Sequence, residues 1–189
     1  MVATRMPRAE RREQILGAAA SAFVQTGFDG TSMDDVARAA GVTRLIVYRI
    51  FESKHELYSA VLDQVVGDLR EQFESHPAGD SVAVRVVRVA RAHPDAFRLL
   101  WRHAANEPEF EKLAGMFRSV VFEYAEGLIA PSLSDMTMRR WAARAIVNYL
   151  YEGICLWLDV GAARRDAEVA RALTEGARAM VLAWAQPGG

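Results

Sequence analysis

Lysine is nearly missing from this chain. Lys54 and Lys112 are the only two among 23 lysines and arginines. Arginine carries the rest, and its planar fork suits phosphate and guanine better than a point charge does. An excess of one sign is missing too. A formal net charge of −1 rules out a global basic field, so any surface for a polyanion must be a local patch. Cysteine is reduced to Cys155, which excludes an intramolecular disulfide and fits a reducing cytosol. No apolar run approaches the ~20 residues that span a bilayer. The charged start is followed by no apolar segment, so neither a signal peptide nor a membrane partner is expected, and a cytoplasmic location is. There is no internal repeat and no low-complexity tract. A Gly-rich phosphate loop, a GxSxG elbow and an HExxH pair are all lacking, and His55, His76, His93 and His103 are scattered without ligand spacing. No catalytic residue, metal site or cofactor is therefore expected, and a small all-helical enzyme is a remote alternative.

What is present is helical period. Half of the residues (51%) are hydrophobic, enough for a sizeable core. Six prolines punctuate the chain. Ile15, Ala19, Ala22 and Phe23 make one stripe in a first helix running from about Arg8 to Gln25, which Gly27 and Gly30 end. Thr31-Ser32-Met33-Asp34-Asp35 allows a capping box in two registers, Thr31 with Asp34 or Ser32 with Asp35. Ala40-Gly41 closes this short second helix. Thr43 is expected to cap a third helix and Ser53 a fourth, from Lys54 to about Glu74. His76-Pro77-Ala78-Gly79 is a break. Ser81 to Arg91 carries both a strand-like alternation (Val82, Val84, Val86) and a helical stripe (Val82, Val86, Val89); helix is preferred because no partner strand exists. Further helices are read over Asp95 to Asn106, Phe110 to Leu128, Met138 to about Asp159, and Asp166 to Ala185. The penultimate helix is apolar on two faces and must be covered on both.

A striped first helix, a capped short second helix, a Gly turn and a short third helix make a helix-turn-helix. The run Ile15-Leu16, Ala18-Ala19, Phe23, Gly27-Phe28, Thr31-Ser32-Met33, Val36-Ala37, Ala40-Gly41-Val42-Thr43, Val47-Tyr48, Phe51 and Lys54-His55-Glu56-Leu57 resembles the N-terminal domain of the TetR family of repressors. The resemblance covers about a quarter of the chain. It implies an all-α protein of about nine helices. Residues 1–56 would be a three-helix DNA-binding domain, and a long helix would join it to a helical ligand-binding and dimerisation domain, residues 57–189. It also implies a homodimeric transcriptional regulator, a repressor that leaves a palindromic double-stranded DNA operator when a small-molecule effector binds. A constitutive regulator without a ligand is the alternative.

Within the motif, Ile15, Phe23, Val36, Val42, Val47 and Phe51 stand at inward spacings. Thr43, Arg44, Leu45, Tyr48 and Arg49 remain for the outer face of the third helix, which in the family enters the major groove. Arg44 suits direct readout, since arginine takes guanine O6 and N7 together; the bland reading is a solvated arginine, for Arg49 as well. Leu45 either meets a thymine methyl or tucks against the second helix. Ser32, Thr43, Tyr48 and Lys54 match positions that touch backbone or sugar, and Met33 offers an apolar contact. Ile50 departs from the family, which has His or Tyr there. Arg5, Arg8, Arg11 and Arg12 form either a basic arm on the DNA or a solvated tail.

For the C-terminal part the resemblance implies a pocket. Trp101, His103, Phe117, Tyr124, Asn148 and Glu152 are its candidate lining, aromatic walls with a few polar groups suiting a small, mostly apolar ligand. Asn148 and Glu152 share a helix face, with bonding across the dimer or to arginines such as Arg98, Arg102 or Arg144 as the alternative. Trp141, Leu173, Met180 and Trp184 on the last two helices are the candidate dimer interface, with completion of a monomeric core as the alternative.

Overall fold

The helical periods become nine α-helices in the computed structural model of the chain, which describes residues 6–74 and 79–185. Arg5 and the His76-Pro77-Ala78 break lie outside the described residues. In chain order the helices are α1 (Arg8–Gly30), α2 (Met33–Ala39), α3 (Arg44–Ile50), α4 (Lys54–Glu74), α5 (Val82–Ala92), α6 (Pro94–Arg98), α7 (Glu111–Ile129), α8 (Met136–Val160) and α9 (Asp166–Ala185). No strand occurs among the described residues, and the valine-rich segment after residue 80 is helix.

Two expectations change in detail. The first helix does not stop at Gln25. It kinks at Gly27, where φ is 75°, and resumes for a last turn to Gly30. That left-handed conformation is one glycine adopts without a Cβ penalty. The helix read over Asp95 to Asn106 changes type twice. After α6 the ladder widens into a π turn over Leu99–His103, where the Ala104 N–H reaches back five residues to the Leu99 carbonyl, and then tightens into a 3₁₀ turn, Ala104–Asn106.

A single apolar core runs from α1 to α9. Ile15, Phe23, Val36, Val47 and Phe51 join Leu57, Tyr58, Val61 and Leu62 of α4, and these continue through Val86, Phe97 and Leu100 to Ile146, Ile154 and Cys155. The long α4 packs on α1 at one end and on α5 at the other, so the N-terminal helices sit on the rest through buried side chains. At the far end, Asp166 opens α9 and accepts hydrogen bonds from Arg91 Nε (2.9 Å) and Nη2 (2.7 Å) of α5 and from Trp157 Nε1 (2.7 Å) of α8. Those bonds, the Arg91 pair foremost, hold its carboxyl below the usual carboxylate range against the opposing effect of burial.

Candidate nucleic-acid interface

Three short devices set the pose of α3. Gly41, with φ 64°, ends α2 in a Schellman turn: Val42 N–H bonds the Ala37 carbonyl (3.0 Å) and Gly41 N–H the Arg38 carbonyl (3.1 Å). Gln14 of α1 donates to the Ala40 carbonyl (2.8 Å) and ties this turn to the first helix. Val47 and Phe51 are buried and anchor α3 to the core, each contributing on the order of 1.5–3 kcal/mol by burial. Ile46 and Ile50 are half-buried against it. What remains faces outward: Thr43, Arg44, Leu45, Tyr48 and Arg49 are all exposed. Leu45 is 66% exposed and therefore is not tucked against α2. Thr43 stands at the N-cap position but makes no side-chain cap bond, contrary to expectation, whereas Ser53 Oγ does accept from Glu56 N–H (3.1 Å).

Arg44 is not a free arginine. Its Nη1 donates to Asp34 Oδ2 of α2 (3.1 Å), its Nη2 donates to the Tyr48 hydroxyl one turn on (3.4 Å), and its guanidinium lies 5.1 Å from the Tyr48 ring centre. The Tyr48 hydroxyl and, after it, the Asp34 carboxylate push the guanidinium pKa further up. Asp34 was legible only as a possible capping acid. Its role beside Arg44 carried no signal, because the pair is ten residues apart and forms only once the turn at Gly41 is closed.

Three of the candidate residues are engaged within the fold. The capping box takes the second register: Ser32 Oγ accepts from Asp35 N–H (3.1 Å) and Asp35 Oδ2 accepts from Ser32 N–H (3.0 Å). The Ser32 hydroxyl is thus already engaged in its cap, while Thr31 is buried and donates to the Gly27 carbonyl (2.7 Å) at the end of α1. Met33 is only 6% exposed and belongs to the core, so it offers no outward contact. Lys54 donates to the Phe28 carbonyl (2.7 Å) and stands 4.3 Å from the Phe28 ring centre. Its first role is to tie α4 to the kinked end of α1. The N–H of the same residue, Phe28, is taken by Glu107 Oε1 (3.2 Å), from the segment before α7. Phe110 completes this junction, stacked at 4.0 Å on Tyr58 and edge-on to Phe28 at 5.1 Å. Glu107 was not singled out in the sequence and Phe110 was read only as the start of a helix, since nothing local relates them to Phe28, about eighty positions earlier.

The C-terminal candidates are not gathered round one space. Trp101, which is buried, and Phe117, which is half-buried, converge on Tyr151, with ring centres 4.6 and 6.0 Å from it. Tyr124 is exposed and meets Phe73 edge-on (5.1 Å), and His103 is half-buried. Glu152 receives two hydrogen bonds from Arg102 (2.6 and 3.2 Å), the pairing foreseen as its alternative. Asn148 is exposed and donates to the Arg144 carbonyl within its own helix (2.8 Å). Two open surface concavities lie elsewhere, one between α1 and α2 at Ser21, Thr26 and Asp35, the other at Arg12, Ser59 and Asp63. Of the four interface candidates, Trp141 is exposed and packs edge-on to Trp184 (4.7 Å), and Met180 and Trp184 are half-buried. Leu173 is buried, with its methyls against Gly153 of the same chain, and has little surface for a second copy. Burial pushes the thiol of Cys155 up to about 12, which removes it as a nucleophile near neutral pH. Among the described residues there is no cluster of metal-ligating side chains and no helix long and apolar enough to cross a membrane.

Comparison with known proteins agrees with this geometry. Residues 15–61 match the family model described as bacterial regulatory proteins, tetR family. The HTH-type transcriptional activator FasR of Mycolicibacterium smegmatis is 48% identical over 65 residues, which is 34% of this chain and 30% of that protein. The HTH-type transcriptional regulator RutR of Escherichia coli O157:H7 is 32% identical over 122 residues, 60% of this chain and 58% of that protein. The chain thus spans less than two thirds of the length of these curated relatives. Among solved structures, a TetR-like transcriptional regulator from Rhodococcus sp. RHA1 superposes with a TM-score of 0.72 at 21% identity, covering 94% of this chain and 97% of that one. NalD, the secondary repressor of the MexAB-OprM multidrug efflux pump in Pseudomonas aeruginosa, superposes with a TM-score of 0.62 at 25% identity over 91% of this chain and 95% of its own. Residues 15–61 thus carry the sequence pattern of the tetR family's helix-turn-helix, and the chain as a whole shares the fold of TetR-like transcriptional regulators.

Proposed function

We propose that this protein is a sequence-specific DNA-binding regulator that acts as a dimeric repressor and leaves a palindromic operator when a small, mostly apolar ligand binds. Residues 1–56 are the DNA-binding unit and 57–189 the dimerisation and ligand unit. The observation that carries the DNA reading is α3. Its inner side is locked by Val47 and Phe51, while Thr43, Arg44, Leu45, Tyr48 and Arg49 stand exposed in a row that has no role in the fold. A helix so held can enter a major groove. Thr43, Tyr48 and Arg49 reach backbone there, Ser32 and Lys54 flank them, and Arg44 and Leu45 meet base edges. Selection from random double-stranded DNA tests this. An enriched, two-fold-symmetric sequence bound in a salt-sensitive manner is expected, and the absence of any enriched sequence refutes it.

Repression is supported by the likeness to NalD, a secondary repressor whose structure superposes over 91% of this chain at 25% identity. A reporter under the selected site should be silenced by the protein. A dimer is supported by the apolar surface that α8 and α9 leave open, Trp141, Leu156, Val160 (85% exposed) and Leu182 (67% exposed). Two copies would set their α3 helices about 34–36 Å apart, or a multiple, to meet successive grooves.

A constitutive regulator without a ligand is the second reading, and one observation favours it. The polar candidates are already satisfied, Glu152 by Arg102 and Asn148 within its helix, while Trp101 is buried and packs with Phe117 on Tyr151. A thermal-shift screen of apolar compounds separates the two readings, since a ligand of the folded state raises the melting temperature.

A further inference from the structure

The two helices of the helix-turn-helix are each seven residues long. Their closure at Gly41 brings the first turn of α2 against the start of α3, and Asp34 comes to lie beside Arg44. Neither side chain holds the fold. The pair is 63% and 49% exposed, a setting in which an ion pair contributes little to stability. The cap of α2 is made by Ser32 and Asp35 without Asp34. The core anchors of α3 lie on its other side. The contact therefore has an orienting effect and almost no structural one.

That orientation matters chemically. An unrestrained arginine can meet a phosphate, a diffuse negative group, from many directions. Guanine O6 and N7 demand the guanidinium plane in one direction. Here two separate terminal nitrogens are held, Nη1 by the Asp34 carboxylate at 3.1 Å and Nη2 by the Tyr48 hydroxyl at 3.4 Å, with the Tyr48 ring beneath. The two held nitrogens fix an axis, and the Tyr48 ring beneath limits rotation of the guanidinium plane about it. Of the five N–H donors of a guanidinium, three stay available. The carboxylate also brings a negative charge to within hydrogen-bond distance of Arg44. That charge repels a phosphate approaching the same guanidinium and has much less effect on a neutral base edge.

We propose that Asp34 is a specificity-determining positioning residue, which directs Arg44 toward a guanine edge and away from phosphate. The inference rests on the reading of α3 as the DNA-contacting helix, and the experiment keeps the two apart. The full-length wild-type protein is first used to select sites from random DNA; no enriched sequence overturns the reading of α3 and this inference with it. Given a selected site, binding of wild type, Asp34→Ala, Asp34→Asn, Arg44→Ala and the double variant Asp34→Ala/Arg44→Ala is measured on that site, on each single base-pair change of it and on unrelated DNA, at several salt concentrations. Both Asp34 variants should bind unrelated DNA several-fold more tightly and with a steeper salt dependence, because an arginine has been freed for phosphate. Their preference at one base pair should fall about tenfold, at the position where Arg44→Ala also loses preference. The double variant should lose no more preference than Arg44→Ala alone. Asp34→Asn keeps the shape of the side chain and removes only the charge. Unchanged base preference in both Asp34 variants, an equal gain on every sequence, or a loss at a position that Arg44→Ala does not touch overturns the inference while leaving the reading of α3 intact.

Discussion

Arg44 and Gly41 stand three positions apart and answer to different physics. If Arg44 reads a base, Arg44→Ala should lower preference at one base pair of the selected site by roughly ten- to a hundred-fold, with little change at the others; a uniform loss across all sequences in a binding titration would make it a phosphate contact instead. Gly41→Ala acts through the backbone. There is open space for the new Cβ, but φ is 64°, so the substitution should cost about 1 kcal/mol in a denaturant melt without altering which sequence is bound. Gly41 was legible in advance because a left-handed turn favours glycine, and the exposure of Arg44 because its position falls on the outer face of a short helix. Met33 was not. In a helix of seven residues, adjacent positions differ in burial by the angle at which α2 lies on α1, and the side-chain spacing does not contain that angle. The Asp34–Arg44 contact stayed hidden because it depends on how the turn at Gly41 sets α3 against α2.

At the scale of elements, the start of α9 is fastened to α5 and α8 through one carboxylate. Asp166 has its pKa depressed, chiefly by Arg91. A depressed carboxylate adds stability above its unfolded value of about 3.9 and loses it as pH falls through the lower folded value. Asp166→Asn should therefore destabilise the protein by about 2 kcal/mol at neutral pH, and the difference between variant and wild type should shrink as melts are repeated from pH 5 down to pH 2. A constant difference across that range would mean the loss is packing and not charge. The joint is tight on its other side too: a Cβ at Gly161 would run into the Trp157 ring, whose Nε1–H bonds Asp166. Helix existence and most helix ends were legible here, the starts of α4 and α9 to the residue, because apolar period and caps are local. The π turn over Leu99–His103 was not, since it amounts to a carbonyl being reached from five residues on instead of four, and no side-chain spacing announces that.

On the scale of the whole molecule, the family likeness is concentrated in residues 15–61, and the remainder is shared with solved relatives chiefly as a fold. The site was more legible than the pocket for that reason. A DNA surface reuses one pattern, whereas lining residues depend on how α6 to α8 pack, and the polar pair picked from one helix face turned out to face Arg102 and solvent. The proposed pairing through α8 and α9 has its own test. Leu182→Glu, placing a charge on a wide-open apolar position, should halve the mass seen by sedimentation and weaken operator binding together; an unchanged mass would move the interface elsewhere.

The Phe28 junction has a consequence for how this protein can drift. Lys54 and Glu107 grip the carbonyl and the N–H of that residue and leave its side chain to pack. Both handles are main-chain atoms that every amino acid except proline supplies. A replacement at position 28 would change a packed surface yet keep the link between the recognition helices and the rest of the chain. The link is written in the two distant side chains that grip it, so its history would be read at positions 54 and 107 and not at the position they hold.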